Sequence, residues 1–311
     1  MIRKILRIFV VLLAALLVLG MVAMYTLSAS IYRDSFAYRC TTSPGNVDNM
    51  ADFPALTRSR HTFTTLQGHT VVGHFYEAAD GAAPKALVVF AHGLGGGGQS
   101  GYLEIFDYLV RSGYCVFAYD ATGNDESQGE VIGGLPQGFV DMDHAVTYAQ
   151  NLPETEGLPL VLMGYSWGGL SCTNTLNTHP EAAAVVSLAG FNRSRDLIEY
   201  EGRQMVGDAV KFMLPFVTAY EFFTYGDYAF STAMKGFAAS DCGVMIVHGE
   251  LDVTVPTKYG YDLYYETYAD DPRFTFLSYP KRGHEVLTQP GVGLDPDLMA
   301  QIVDFCDRWV S

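Results

Sequence analysis

A chain of 311 residues, 49% apolar and 17% charged, holds enough material for one sizeable hydrophobic core, which excludes a disordered tail or a disulfide-stapled miniature. Acidic residues outnumber basic ones 34 to 19, for a net charge of −15, and such a body repels phosphate backbones, so nucleic acid is not a partner. The five cysteines, Cys40, Cys115, Cys172, Cys242 and Cys306, contain no C-x-x-C pair, so the chain offers no metal site of that kind. Most of them read as small buried hydrophobes, and the odd count leaves at least one thiol free, with Cys40 the one open to a disulfide.

In chain order, a basic segment (1–7, with Arg3, Lys4 and Arg7) precedes an uncharged aliphatic run over 8–27. As a helix this run crosses a hydrocarbon core of roughly 30 Å, so it reads as a transmembrane signal anchor. The alternative is a cleaved signal peptide and a secreted protein, since Leu27, Ser28, Ala29 and Ser30 furnish a small-residue site. The run exceeds the usual h-region of about 7–15 residues, which favours the anchor. Three basic residues before the span, against Arg33 and Asp34 after it, put the N-terminus in the cytoplasm and the folded body outside, on a cell membrane. Residues 28–60, with Pro44, Gly45 and Asn46 and no sustained period, read as a stalk.

The folded domain is expected over 61–311. Runs 62–66 and 70–77, split by Gln67, Gly68 and His69, predict an antiparallel hairpin. Apolar runs at 86–91, 114–119, 159–163, 183–189, 244–247 and 274–279 then recur, separated mostly by helical patterns at 102–112, 137–151, 167–178, 257–269 and 295–310. Strands apolar on both faces belong inside a mostly parallel sheet covered by helices, an α/β fold. The interval 191–242 is too long for a simple crossover and is expected to be a helical cap insertion. Its aromatic and Met content, Phe212 and Phe216 included, predicts an apolar substrate pocket.

Within this frame, Gly164-Tyr165-Ser166-Trp167-Gly168 follows a predicted strand and precedes a predicted helix, the context in which G-x-S-x-G lifts a serine above the sheet. A serine hydroxyl needs a base and a carboxylate to orient that base. Asp252 and His284 both fall in loops past strand ends and complete the chain order Ser, Asp, His, with Glu250 the rival acid. Oxyanion donors are expected from the N–H groups of Trp167 and of Leu94, the latter in the loop His92-Gly93-Leu94-Gly95. His92, Gly93 and Tyr165, flanking these groups, are expected to line the substrate site.

Gly93, Gly95 and Gly98 also satisfy G-x-G-x-x-G, with Asp120 about twenty residues on, as in a nicotinamide-dinucleotide reductase. That reading leaves Ser166, Asp252 and His284 unexplained, and a hairpin stands ahead of the unit. His61, His69 and His74, and the group Asp141, Asp143 and His144, have no ligand geometry and read as surface or helix-face residues.

At these residues the chain resembles the α/β-hydrolase superfamily, and within it the cap-bearing monoacylglycerol-lipase-like and serine-aminopeptidase-like enzymes. The likeness rests on His92 to Gly95, Asp120 to Ser127 with Gly129, Gly164 to Gly168, His248-Gly249 with Asp252 and Pro256, and Gly283-His284. Where family members often carry D-x-x-G-x-G-x-S, this chain has Asp125 in place of the second glycine. The resemblance implies a serine hydrolase that cleaves carboxylic esters of small to medium apolar substrates through an acyl-enzyme on Ser166, with His284 as base and Asp252 as its orienter. An amidase, peptidase or acyltransferase would use the same three side chains, and a non-catalytic binding module is a further alternative. No cofactor and no metal is expected, and the partners are a small-molecule ester or amide substrate and, through the N-terminal helix, a membrane.

Overall fold

The computed structural model describes residues 2–289, 291 and 293–311; Met1, the first residue of the expected basic segment, lies outside them. Helix α1 (Ile2–Ser35) leads the chain. The hairpin β1 (Leu56–Thr64) and β2 (Thr70–Ala78) opens the domain, followed by β3 (Ala86–Ala91), α2 (Leu103–Arg111), β4 (Tyr114–Asp120) and α3 (Leu135–Gln150). Then come β5 (Leu160–Tyr165), α4 (Trp167–Thr175), β6 (Ala184–Leu188) and the insertion α5 (Ser194–Val206), α6 (Val210–Tyr225) and α7 (Ala233–Ala239). The chain closes with β7 (Gly243–Gly249), α8 (Tyr261–Tyr268), β8 (Phe274–Tyr279), a small hairpin of β9 (Thr288–Gln289) and β10 (Gly293–Leu294), and α9 (Pro296–Val310).

The eight long strands form one sheet in the order β1-β2-β4-β3-β5-β6-β7-β8. β2 pairs antiparallel with β1 and β4, while β3 to β8 run parallel. β3, β4, β6 and β7 are buried at every position, which is why their sequences are continuous apolar runs rather than alternations. One face of the sheet packs on α2 and α9 through Phe106, Leu109, Ile302 and Phe305; the other packs on α3, α4, α7 and α8 through Val146, Leu170, Phe237 and Tyr264. All the parallel strands therefore end on the same edge, where the loops that matter chemically emerge.

Three expectations need correction. The expected stalk is not free chain: α1 runs on to Ser35, Ser28 and Tyr32 are buried, and the first strand begins at Leu56. Beyond the helix, the Arg39 guanidinium donates to the carbonyls of Gly129 and Ser127, Cys40 forms a parallel bridge with Asn124, and the Thr42 N–H donates to Asp125. Pro, Gly and Ser content marks irregular backbone, but irregular backbone still attaches where loops offer it partners. The helix expected over 257–269 is split into a turn at Thr257–Tyr259 and α8, because Gly260 takes a non-helical φ of −145° and ψ of −88°. Finally, His74 and Asp141 are buried rather than superficial: Asp141 accepts from the Thr122 N–H, the Thr122 hydroxyl and the Gln137 amide, and so ties α3 to the loop after β4.

Candidate active site

β5 turns directly into α4 at Ser166, whose φ of 57° and ψ of −111° lie in a region that non-glycine residues avoid. The strain is imposed by crowding. A Cβ on Gly164 would lie 2.1 Å from the Gly168 carbonyl oxygen, and one on Gly168 would lie 1.9 Å from the Ala91 carbonyl oxygen. Only glycine at both places lets strand, turn and the end of β3 come together. The same contact holds the loop after Ala91, with Leu94, beside the start of α4, where the Trp167 N–H has no intrahelical partner.

The other two loops converge by an analogous device. A Cβ on Gly249 would lie 2.1 Å from the Gly283 carbonyl oxygen, so the end of β7 presses against the loop after β8. His284 Nε2 then lies 2.8 Å from Ser166 Oγ, and its Nδ1 lies 2.7 Å from Asp252 Oδ2. Asp252 is buried, and its Oδ1 accepts from the Thr254 and Val255 N–H groups. Burial alone would raise its pKa, but hydrogen bonds from His248 and His284 and the Val255 N–H outweigh it and hold the carboxyl well below the usual carboxylate range. Glu250, the rival acid, is exposed and accepts from the Ser278 hydroxyl instead. A hydroxyl, an imidazole and a buried carboxyl thus stand in one hydrogen-bonded line, a geometry in which the imidazole could take a proton from Ser166 and return it to a departing group.

His248 was not singled out as a site residue, yet its Nε2 sits 3.2 Å from Asp252 Oδ2 and 2.9 Å from the Val255 carbonyl oxygen, which places a second imidazole on the same carboxylate. The available signal was a histidine four residues before the acid on a fully apolar strand, where a buried polar ring needs a partner.

The expected substrate-lining residues divide. Tyr165 lies against the His284 ring, with centroids 5.4 Å apart, and its hydroxyl donates to the His284 carbonyl; Gly93 is packed against the Tyr165 ring. His92 is not available to a substrate: it is buried, its Nδ1 donates to the Gly93 carbonyl, and its Nε2 accepts from the Ala121 N–H. Burial lowers its basicity, and it serves as a neutral strut of the loop. Phe212 is 75% exposed, and neither it nor Phe216 lines the cavity beneath the cap. The reason is helical phase: Val210, Leu214, Val217, Glu221 and Tyr225 form the buried stripe of α6, and residues 212 and 216 fall off it.

That cavity, of about 420 Å³, is bounded by α5, α6, the C-terminal end of α1 and Leu94. The dinucleotide alternative fails on geometry. Asp120, which would have to meet a ribose, is buried and its carboxylate accepts from the Gln99 and Glu126 N–H groups; a Cβ on Gly98 would lie 1.9 Å from its Oδ1. Among the described residues all five cysteines are free and buried, and no cluster of potential metal ligands occurs.

Sheet order, elbow and cap together define an α/β-hydrolase fold, and comparison with known proteins agrees. The model of the family described as serine aminopeptidase, S33, matches residues 82–222. Pyrococcus furiosus esterase Pf2001 superposes with a TM-score of 0.66 at 15% identity, covering 88% of this chain and 99% of that one. Acetyl xylan esterase 1 from Thermoanaerobacterium gives a TM-score of 0.55 at 16% identity, covering 90% and 93% of the two chains. A curated relative, the quorum-quenching protein AidA of Acinetobacter baumannii, is 28% identical over 131 residues. That alignment takes in 40% of this chain and spans 43% of the length of AidA.

Proposed function

We propose that the chain is a serine hydrolase that cleaves carboxylic esters of small to medium apolar substrates through an acyl-enzyme on Ser166. The observation that carries this reading is the unbroken line from Asp252 through His284 to Ser166. His284 takes the Ser166 proton as the oxygen attacks the ester carbonyl, the N–H groups of Leu94 and Trp167 receive the oxyanion, and His284 passes the proton to the departing alcohol. Water activated by the same imidazole then releases the acid. No step calls on a metal or an organic cofactor.

The N-terminal helix serves in this reading as a single-pass anchor with the domain outside the cytoplasm. Its support is a 34-residue helix near the N-terminus whose apolar 18-residue stretch has mean hydropathy 2.9, with Arg3, Lys4 and Arg7 in its first turns. Protease added to intact cells should remove the domain and leave the anchor; a protected domain would reverse the orientation.

A fluorophosphonate probe should label the full chain in detergent, and Ser166→Ala should abolish labelling; an alanine variant that labels like wild type would remove Ser166 as the nucleophile. A second reading, amide cleavage, is favoured by the aminopeptidase description of the matching family. Rates on aminoacyl amides set beside simple esters separate the two, and a preference for the amides would select the peptidase.

A further inference from the structure

The C-terminal part of α1 does more than lead the chain away from a bilayer. Ser28, Ile31, Tyr32 and Ser35, with Phe36 just beyond the helix, form one wall of the cavity of about 420 Å³, opposite Leu197, Met205 and Met213 of the cap. The size falls in the range of about 300–1,000 Å³ usual for small-molecule sites, and the walls are largely apolar. Two contacts connect the cavity to the reacting centre. Leu94, the expected oxyanion donor, lines it directly; Leu135 lines it too, and its carbonyl accepts from the indole N–H of Trp167 at 2.8 Å, next in sequence to Ser166.

The helix is held there by specific contacts rather than by proximity. The Tyr32 hydroxyl donates to Glu221 Oε1 of α6 at 2.6 Å and accepts from the Leu135 N–H at 3.2 Å, and Ser194 of α5 donates to the same Glu221 oxygen. The outer face of the cap continues the apolar surface of the helix. Tyr25 meets Phe223 edge to face at 6.3 Å, and Met205, Phe212 and Phe223 are at least 70% exposed. Exposed apolar surface contiguous with a membrane-length helix fits a lipid surface better than water.

We propose that α1 is a wall of an acyl-binding site, and that the substrate is an ester whose acyl chain enters this cavity from the bilayer surface while its carbonyl reaches Ser166. This rests on the serine-hydrolase reading for the reaction, but not for the binding.

The test uses the full chain in phosphatidylcholine nanodiscs, with Ile31→Trp from the helix wall and Leu197→Trp from the cap wall. Wild type should favour p-nitrophenyl octanoate over the acetate in kcat/KM by at least about tenfold, since each buried methylene is worth roughly 0.8 kcal/mol. Either tryptophan should cut the octanoate-to-acetate ratio about tenfold. Independently of catalysis, Ser166→Ala should bind a fluorescent C12 fatty acid, and adding Ile31→Trp should weaken that binding about tenfold. A wild-type preference for acetate, or binding and ratios indifferent to both tryptophans, overturns the inference while leaving probe labelling, and so the nucleophile, untouched. Ile31-dependent fatty-acid binding without any labelling at Ser166 has the opposite meaning: the cavity stands and the enzyme falls.

Discussion

At Asp252 two imidazoles share one carboxylate, and their tasks differ. His284 is part-exposed and reaches Ser166, whereas His248 is fully buried and reaches only Asp252 and the Val255 carbonyl. We therefore assign His248 as a positioning residue that keeps Asp252 ionised and aimed. Asp252→Asn should lower kcat on a simple ester by about 10³–10⁴ with little change in KM, because the base loses the partner that sets its tautomer. His248→Phe should lower kcat more modestly and move the acid side of the kcat/KM profile to higher pH, whereas His248→Gln, which keeps an N–H donor, should restore the wild-type profile. A profile unmoved in His248→Phe would reduce His248 to packing. The sign for stability follows from the depressed folded value of Asp252: its contribution is fully present above the ordinary carboxylate value and is lost as pH falls from there through the lower folded value.

Elements meet at this site through glycines and one aspartate. Because a Cβ on Gly168 would strike the Ala91 carbonyl oxygen, Gly168→Ala must move either β3 or α4. We expect it to cost about 3 kcal/mol or more and to abolish fluorophosphonate labelling, checked by thermal melting beside the labelling assay. Asp125, standing where related loops often have glycine, adopts a left-handed φ of 32°. Its carboxylate accepts from the Thr42 N–H and hydroxyl and from the Gly98 N–H, so it pins both the segment after α1 and the glycine-rich loop near Leu94. Asp125→Gly relieves the backbone but deletes those acceptors, and the lost hydrogen bonds should win, for a net cost of about 1–3 kcal/mol read as a lowered Tm. A variant as stable as wild type would mean that the backbone strain had cancelled the clamp.

Taken as a whole, the molecule is a sheet domain joined to an apolar helix by a buried carboxyl. Burial pushes Glu221 up from 4.5 to about 7, against the hydrogen bonds from Ser194 and Tyr32 that favour its charged form. With the folded value above the unfolded one, the stabilising contribution is complete below about pH 4.5, fades as pH rises toward 7 and is gone above it; in total it is on the order of 3 kcal/mol. The junction of α1 with the cap should therefore open more readily at pH 8 than at pH 5, read as lower amide protection around Tyr32 after the intrinsic base-catalysed exchange rate at each pH is divided out. Glu221→Gln should flatten that dependence, and an unchanged dependence in the variant would assign it to another group.

Much of this was legible in the sequence because it depends on local rules. Strands buried on both faces must be apolar throughout, a membrane-length helix must be apolar for about twenty residues, and an elbow needs small residues on either side of its serine. Those rules yielded the parallel strands, α1, and the expectation of Ser166, Asp252 and His284, which the folded chain brings within hydrogen-bond distance. Tertiary contact decided the rest. Nothing local marks His248 as the partner of a carboxylate, turns Phe212 outward, or attaches residues 28–42 to the domain. Each of these depends on which surface of another element lies opposite, and burial and hydrogen-bond satisfaction act between elements that the sequence keeps far apart.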